Sequence, residues 1–292
     1  MRLFFLTSVT MIAFAANSVL TRMALAEGRI GPADFSAIRL GAAAGALYLL
    51  VRLRGGSPRL WRPGRWRAVL ALTVYVIGFS FAYVSLPAGV GALILFGAVQ
   101  VTMFAVAIGG SEAVAPRRLI GAAIAFAGLI WLMWPGGGAA PDPLGAGLMA
   151  AAGVGWGIYS VLGRASGDPT METAANFLLA VPFGLVALLV TAEVPPTADG
   201  IALALTSGVV TSGLGYALWY SILPRMQTSV AAIAQLTVPV IATAAGVVLM
   251  GEAVTTRFTF ATVLVIGGVA VSLRPARRTG RATAQVSPNG EG

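Results

Sequence analysis

Apolar runs of about twenty residues recur along the chain, separated by short polar links. They fall near 3–24, 34–52, 68–86, 88–109, 117–134, 144–163, 172–191, 199–219, 227–249 and 257–274. A helix needs roughly 20 largely apolar residues to cross a bilayer. The pattern therefore predicts an all-α integral membrane protein with ten transmembrane helices. After residue 275 the chain turns polar and rich in Arg, Thr, Ser and Gly, which predicts a disordered tail over 276–292. The first run has a rival reading. Arg2 before it and Ala24-Leu25-Ala26 at its end resemble a secretory leader. Arg22 so close to that site suits a leader poorly, and the reading taken is a retained helix.

The runs repeat. Tyr83 stands three residues before Leu86-Pro87, and a long apolar segment then leads to Ser111-Glu112-Ala113-Val114. Tyr220 stands three before Leu223-Pro224, and a second such segment leads to Gly251-Glu252-Ala253-Val254. Ser18-Val19-Leu20-Thr21-Arg22 is echoed by Ser160-Val161-Leu162-Gly163-Arg164. These echoes divide the chain into units of five helices, 1–137 and 138–275. Five is odd, so the second unit enters the membrane from the opposite face. The expected architecture is two inverted five-helix repeats, as in many secondary transporters. Arginine placement sets the orientation. With the N-terminus inside, fifteen of the nineteen arginines fall on inside segments and three outside, with Arg39 within a span. That asymmetry predicts both termini cytoplasmic.

Composition narrows the function classes. The chain is 58% hydrophobic and 10% charged, with mean hydropathy +0.87, whereas a soluble domain carries roughly 25% charged residues. The net charge is +9 and every basic residue is arginine. In a soluble protein that would suggest nucleic acid. In a membrane protein it reflects arginine retained on the cytoplasmic side, so the expected partner is the lipid bilayer and not nucleic acid, and the transporter-like repeat adds a small-molecule substrate. There is no cysteine and no histidine, which removes thiolate ligands and the usual proton carrier near neutral pH. No Walker motif is present, and no Asp or Glu falls near the middle of a span. No catalytic constellation, metal set or cofactor is predicted. Facilitated diffusion needs none of these groups, and it is the preferred mechanism. The oligomeric state stays open, a monomer included.

On these residues the sequence resembles the EamA family of the drug/metabolite transporter superfamily. The features are the doubled five-helix unit, the Leu86-Pro87 and Leu223-Pro224 turns, Pro239 in the ninth span, Glu112 and Glu252 before the fifth and tenth, and the glycines Gly121, Gly128, Gly267 and Gly268. The resemblance covers nearly the whole chain. It implies export of amino acids or other metabolites from the bacterial cytoplasmic (inner) membrane by alternating access. Within the family the chain looks most similar to the aromatic amino-acid exporters. One feature departs from symmetry: the first copy has no proline matching Pro239. The rival classes are a membrane-embedded enzyme and a scaffold.

Several intramembrane side chains are candidates for substrate binding. Thr10, Phe14, Asn17 and Thr21 share one face of the first helix, and Trp156 and Tyr159 hold the matching positions of the sixth. This predicts an aromatic pair, Phe14 and Trp156, and a polar pair, Asn17 and Tyr159, across the pseudo-axis. The alternative is packing and interhelical hydrogen bonding. Tyr75 and Phe79 in the third span and Ser212, Tyr216 and Trp219 in the eighth are either core or cavity wall. Arg39 either snorkels to the outer interface or faces a cavity, where it would attract carboxylates. Gln100 and Gln235 either bridge helices or bind solute. Trp61, Trp66 and Trp134 are expected as interfacial anchors, and Glu112, Glu252, Asp34 and Glu172 as carboxylates at helix starts. The pairs Gly41 with Gly45 and Gly153 with Gly157 predict close helix contacts.

Overall fold

The computed structural model describes residues 1–109, 116–134, 140–163, 168–191, 195–226 and 234–273. Glu112, Arg164 and the tail from Arg274 lie outside them. The described residues form helices and no strands. We number the helices α1 (Arg2–Ala26), α2 (Pro32–Leu53), α3 (Arg65–Ala82), α4 (Ala88–Gly109) and α5 (Pro116–Met133). Then follow α6 (Pro143–Gly163), α7 (Pro169–Val190), a composite α8 and two more, α9 (Thr237–Met250) and α10 (Thr256–Leu273). The composite α8 joins Ala198–Thr206, Ser207–Leu214 and Gly215–Ile222 without a break. Among the described residues six of these helices are long and apolar enough to cross a membrane, and the other four contribute shorter apolar stretches.

Polarity is distributed inside out. Phe4, Tyr48, Leu49, Val186, Leu189 and Val263 are exposed around the bundle, while Asn17, Arg39, Gln100, Asn176, Ser207, Thr211 and Ser212 are buried. Water would penalise such a surface, and lipid does not. The chain is a multi-pass membrane protein.

Local chemistry sets the helix starts. Pro32 and Pro169 open α2 and α7, where a missing N–H costs nothing. The Asp168 carboxylate accepts from the Thr170 and Met171 amides, and Thr197 Oγ1 accepts from the Gly200 amide. Asp142 caps α6: its carboxylate accepts from Gly145 N at 2.7 Å and from Ser85 Oγ at 2.9 Å. The Gly145 amide, and after it the Ser85 hydroxyl, hold the Asp142 carboxyl below its ordinary value.

Several expectations need correction. The third helix starts at Arg65, not 68, and ends at Ala82, because Tyr83–Pro87 forms the turn to α4. The ninth is interrupted at Leu236 and restarts at Thr237, so Pro239 lies in a first turn, where it demands no kink. Among the described residues a proline does stand inside a helix at Pro182 of α7. Gly41 and Gly45 are not packing sites, since a Cβ on either would meet nothing within 4 Å. Gly153 and Gly157 are: a Cβ there would lie 2.6 Å from Leu95 O and 2.9 Å from Thr102 Cβ, both on α4. Gly155 serves the other neighbour, with a Cβ 2.7 Å from Ala71 O of α3. Small residues thus hold α6 between α3 and α4.

Many of the helix pairings are reciprocal. α3 packs on α6 as α8 packs on α1, and α4 packs on α6 as α9 packs on α1. α2 meets α8 as α7 meets α3, while α2 pairs with α7, α4 with α9 and α5 with α10. Adding five to each helix number carries this set into itself.

Candidate functional site

Four helices bring aromatic and polar side chains to one point. From α1, Phe14 sits edge-on to Trp156 of α6, with ring centroids 6.1 Å apart, and to Tyr216 of α8 at 5.7 Å. Trp156 also packs on Tyr75 of α3 at 5.0 Å and on Tyr216 at 4.7 Å. Tyr75 packs on Phe79 one turn later, at 5.5 Å. These rings, with Asn17, Ser18, Leu95 and Phe96, enclose a cavity of about 10 Å³. That is room for about one water molecule, so a solute of amino-acid size requires the helices to part.

Behind the rings lies Arg39. It is fully buried, so the snorkelling alternative fails. Its Nε donates to Ser212 Oγ at 2.9 Å. Its Nη2 donates to the Tyr75 hydroxyl at 2.9 Å and reaches that of Tyr216 at 3.5 Å. The guanidinium carbon lies 4.9 Å from the Phe79 ring centre and 5.2 Å from that of Tyr75. Nη1 has no partner, and among the described residues no carboxylate pairs with Arg39. A lone charge at this depth costs roughly 2.5–3.5 kcal/mol even by the mildest scale.

Asn17 accepts through Oδ1 from Ser207 Oγ at 2.7 Å and Thr211 Oγ1 at 2.8 Å. These partners and Ser212 share one short segment, Ser207–Leu214, in which α8 widens to a π-helix. Such widenings are frequent at functional sites. The sequence reading missed this segment. Its signal is the run of small and hydroxylated residues Thr206-Ser207-Gly208, repeated as Thr211-Ser212-Gly213.

Not every predicted residue joins the cluster. Asn17 and Tyr159 are not hydrogen-bonded to each other: Asn17 is held by Ser207 and Thr211, and Tyr159 by Asn176. The Tyr159 hydroxyl accepts from Asn176 Nδ2 at 3.4 Å, and Asn176 Oδ1 accepts from Arg65 Nη1 at 2.9 Å. Gln100 is buried in α4, and Gln235 is half-buried beside the α9 start; neither lines the cavity. A larger depression, about 1020 Å³, lies between Leu60–Leu70 and α7. Its lining is mainly apolar and aromatic, including the exposed Trp61 and Trp66, so convergent polar chemistry favours the small central cavity.

Polar networks bracket that cavity at the two ends of α3. At one end Arg65 and Arg62 pair with Glu172 at 3.0 and 3.1 Å. Arg65 is thus a buried helix residue rather than part of a solvated link. At the other end Arg22 Nε meets Glu252 at 3.3 Å, and Arg22 Nη1 donates to the carbonyls of Tyr83 and Val84 at 3.0 and 2.8 Å. Glu252 was expected as a cap of the tenth helix. It instead accepts from Ala88 N of α4 at 2.8 Å, while Thr255 Oγ1 accepts from Phe258 N in α10. α3 has 18 residues, and at 1.5 Å per residue the networks are about 27 Å apart, with Tyr75 and Phe79 between them.

Residues 143–274 match the EamA-like transporter family. An uncharacterized protein of Pseudomonas aeruginosa is 44% identical over 282 residues, covering 96% of this chain and 97% of that protein. The chain belongs to the EamA-like transporter family. This is a family of membrane transporters within the drug/metabolite superfamily, and its members are not enzymes. A solved crystal structure, 20% identical, superposes with TM-score 0.67 over 93% of this chain and 96% of that chain. At that identity the likeness speaks for the fold alone. A small-molecule substrate and surrounding lipid follow from the family.

Proposed function

We propose that this chain exports small organic metabolites, aromatic or other neutral amino acids first among them, across the bacterial inner membrane by alternating access. The observation that carries the reading is the central cavity, where Phe14, Asn17, Tyr75, Phe79, Trp156 and Tyr216 converge between polar networks at both ends of α3. Rings of that kind accept an apolar body, and hydroxyl and amide groups orient its polar end. Residues 1–137 and 138–275 are the two inverted repeats. The reciprocal helix pairings support this, as do the doubled Leu-Pro and Glu-Ala-Val motifs. The Arg22–Glu252 network closes the outer side and the Arg65–Glu172 network tightens the inner side. The arginine asymmetry supports cytoplasmic termini. Gln100 and Gln235 join the path only when the cavity opens toward their ends. Export of other metabolites or drugs is the alternative, and it would use the same cavity.

Purified protein in liposomes tests the reading. A panel of labelled amino acids and related metabolites should include solutes that equilibrate saturably, without an imposed proton or sodium gradient. Leakage no faster than in protein-free liposomes for every solute sinks the proposal. Accumulation above equal concentration under a pH gradient keeps the carrier and overturns its uncoupled mechanism.

A further inference from the structure

Resting on that reading of the central cavity, we propose that the transported solute is a carboxylate, bound through its anionic group by Arg39 together with the hydroxyls of Tyr75 and Tyr216. The charge balance points this way first. Arg39 is fully buried, its Nη1 has no partner, and no carboxylate among the described residues pairs with it. Removing an ion from water is unfavourable unless an opposite charge and hydrogen bonds replace the water. The protein supplies Ser212, two phenols and two aromatic faces, all formally neutral. The missing charge is therefore negative, and a solute can bring it.

The hydrogen-bond directions point the same way. Both phenol oxygens accept from the guanidinium, and the two hydroxyls bond to each other at 2.8 Å. One phenolic hydrogen serves that mutual bond. The other has no protein acceptor among the described contacts, and both rings line the cavity. Asn17 also lines it, with Oδ1 held by Ser207 and Thr211 and its Nδ2 hydrogens without a described acceptor. The wall therefore offers donors backed by a fixed positive charge, and an anion with several lone pairs satisfies them. A guanidinium matches a carboxylate with parallel N–H donors, and Nη1 is the donor left free to complete that fork.

Aromatic walls alone would suit a different guest. Ringed cavities attract ammonium groups through their faces. Here the faces of Phe79 and Tyr75 already hold the Arg39 cation, which repels a second one. The site thus disfavours cations that bring no carboxylate, cationic amphiphilic drugs among them, and accepts solutes whose carboxylate can meet Arg39, amino acids and simple organic acids alike.

The test uses wild-type protein in nanodiscs and solutes of common apolar body, each as acid, primary amide and amine: phenylpropanoate with its amide and amine, and phenylalanine with phenylalaninamide. Binding is read by thermal shift and by Trp fluorescence. The acids should bind at least ten-fold tighter than their amides, and the amine weakest. Arg39→Gln should remove most of that preference, lowering acid affinity far more than amide affinity. Amides binding as tightly as acids in wild type would overturn the anion assignment and leave the cavity as the binding site. Binding of the acids that Arg39→Gln leaves intact, in a variant that stays monodisperse, overturns it as well. If no member of any series binds, the cavity reading fails together with this one.

Discussion

Trp156 is the residue where ligand and core roles separate most cleanly. Its ring touches those of Phe14, Tyr75, Tyr159 and Tyr216 and is 3% exposed. Burying such a side chain is worth on the order of 1.5–3 kcal/mol. Trp156→Ala should therefore weaken solute binding by roughly ten- to a hundred-fold. Trp134, 62% exposed, should be replaceable without change in affinity. Titrations on both variants, with a thermal melt of each, distinguish the roles. Unaltered affinity in a well-folded Trp156 variant would mean that α6 turns another face to the solute. Arg39 shows the limit of local reading. Its neighbours Ala37, Ile38 and Leu40 say only that a charge stands in an apolar run. Whether it snorkels depends on Ser212 and Tyr216, more than 170 residues away in sequence.

At the scale of single elements, α8 carries the least regular backbone. The π-segment Ser207–Leu214 lets Ser207 and Thr211 face Asn17 while Ser212 faces Arg39. Deleting the lipid-facing Val209 should return the segment to about 3.6 residues per turn and swing one group off by about 100°. We expect an inserted, monodisperse protein that no longer transports. Retained transport in that deletion would show the π-geometry to be incidental. The α6 cap gives a pH signature. The folded Asp142 carboxyl is held below its ordinary value by the Gly145 amide and the Ser85 hydroxyl. A depressed folded-state value stabilises above the unfolded value of about 3.9 and is lost as pH falls through the folded one. Asp142→Asn should lower the melting temperature at neutral pH, with the gap to wild type closing in acid. A gap that persists unchanged well below the carboxylate range contradicts the charged cap.

For the whole molecule, orientation is the testable quantity. Six arginines stand within 52–67, in the link between α2 and α3 and the helix ends that flank it, and the arginine asymmetry puts that link inside. The chain contains no cysteine, so Ser57→Cys introduces a single label site. An impermeant thiol reagent should leave it unmodified in intact cells and modify it after permeabilisation. Labelling in intact cells reverses the orientation, and with it the outer assignment of the Arg22–Glu252 network. The reciprocal pairings matter at this scale too. If the proposed repeats hold, each contact of that set has a counterpart, so a movement that loosens one member should tighten or loosen its counterpart at the other end. Arg22 with Glu252 is the described member of such a set. Arg164 and Glu112, which hold the echoed positions in the sequence, lie outside the described residues.

The sequence by itself determined the number of helices and, within a few residues, most of their ends. Each apolar run has to satisfy its own backbone, and prolines, Asp and Thr caps act within one turn. It also singled out Phe14, Asn17, Tyr75, Phe79, Trp156 and Tyr216, because aromatic and polar side chains at helical spacing within apolar runs are few and legible. Only the tertiary structure decided who meets whom. It joined Asn17 to Ser207 and Thr211 rather than to Tyr159, and it aimed Glu252 at Ala88 and Arg22 rather than at its own helix. It turned Gly41 and Gly45 away from every neighbour and left Gln100 and Gln235 outside the cavity. The physical reason is range. Periodicity and capping depend on neighbours within four residues, whereas a partner across the bundle depends on the rotation and depth of two helices, which packing of the whole core fixes.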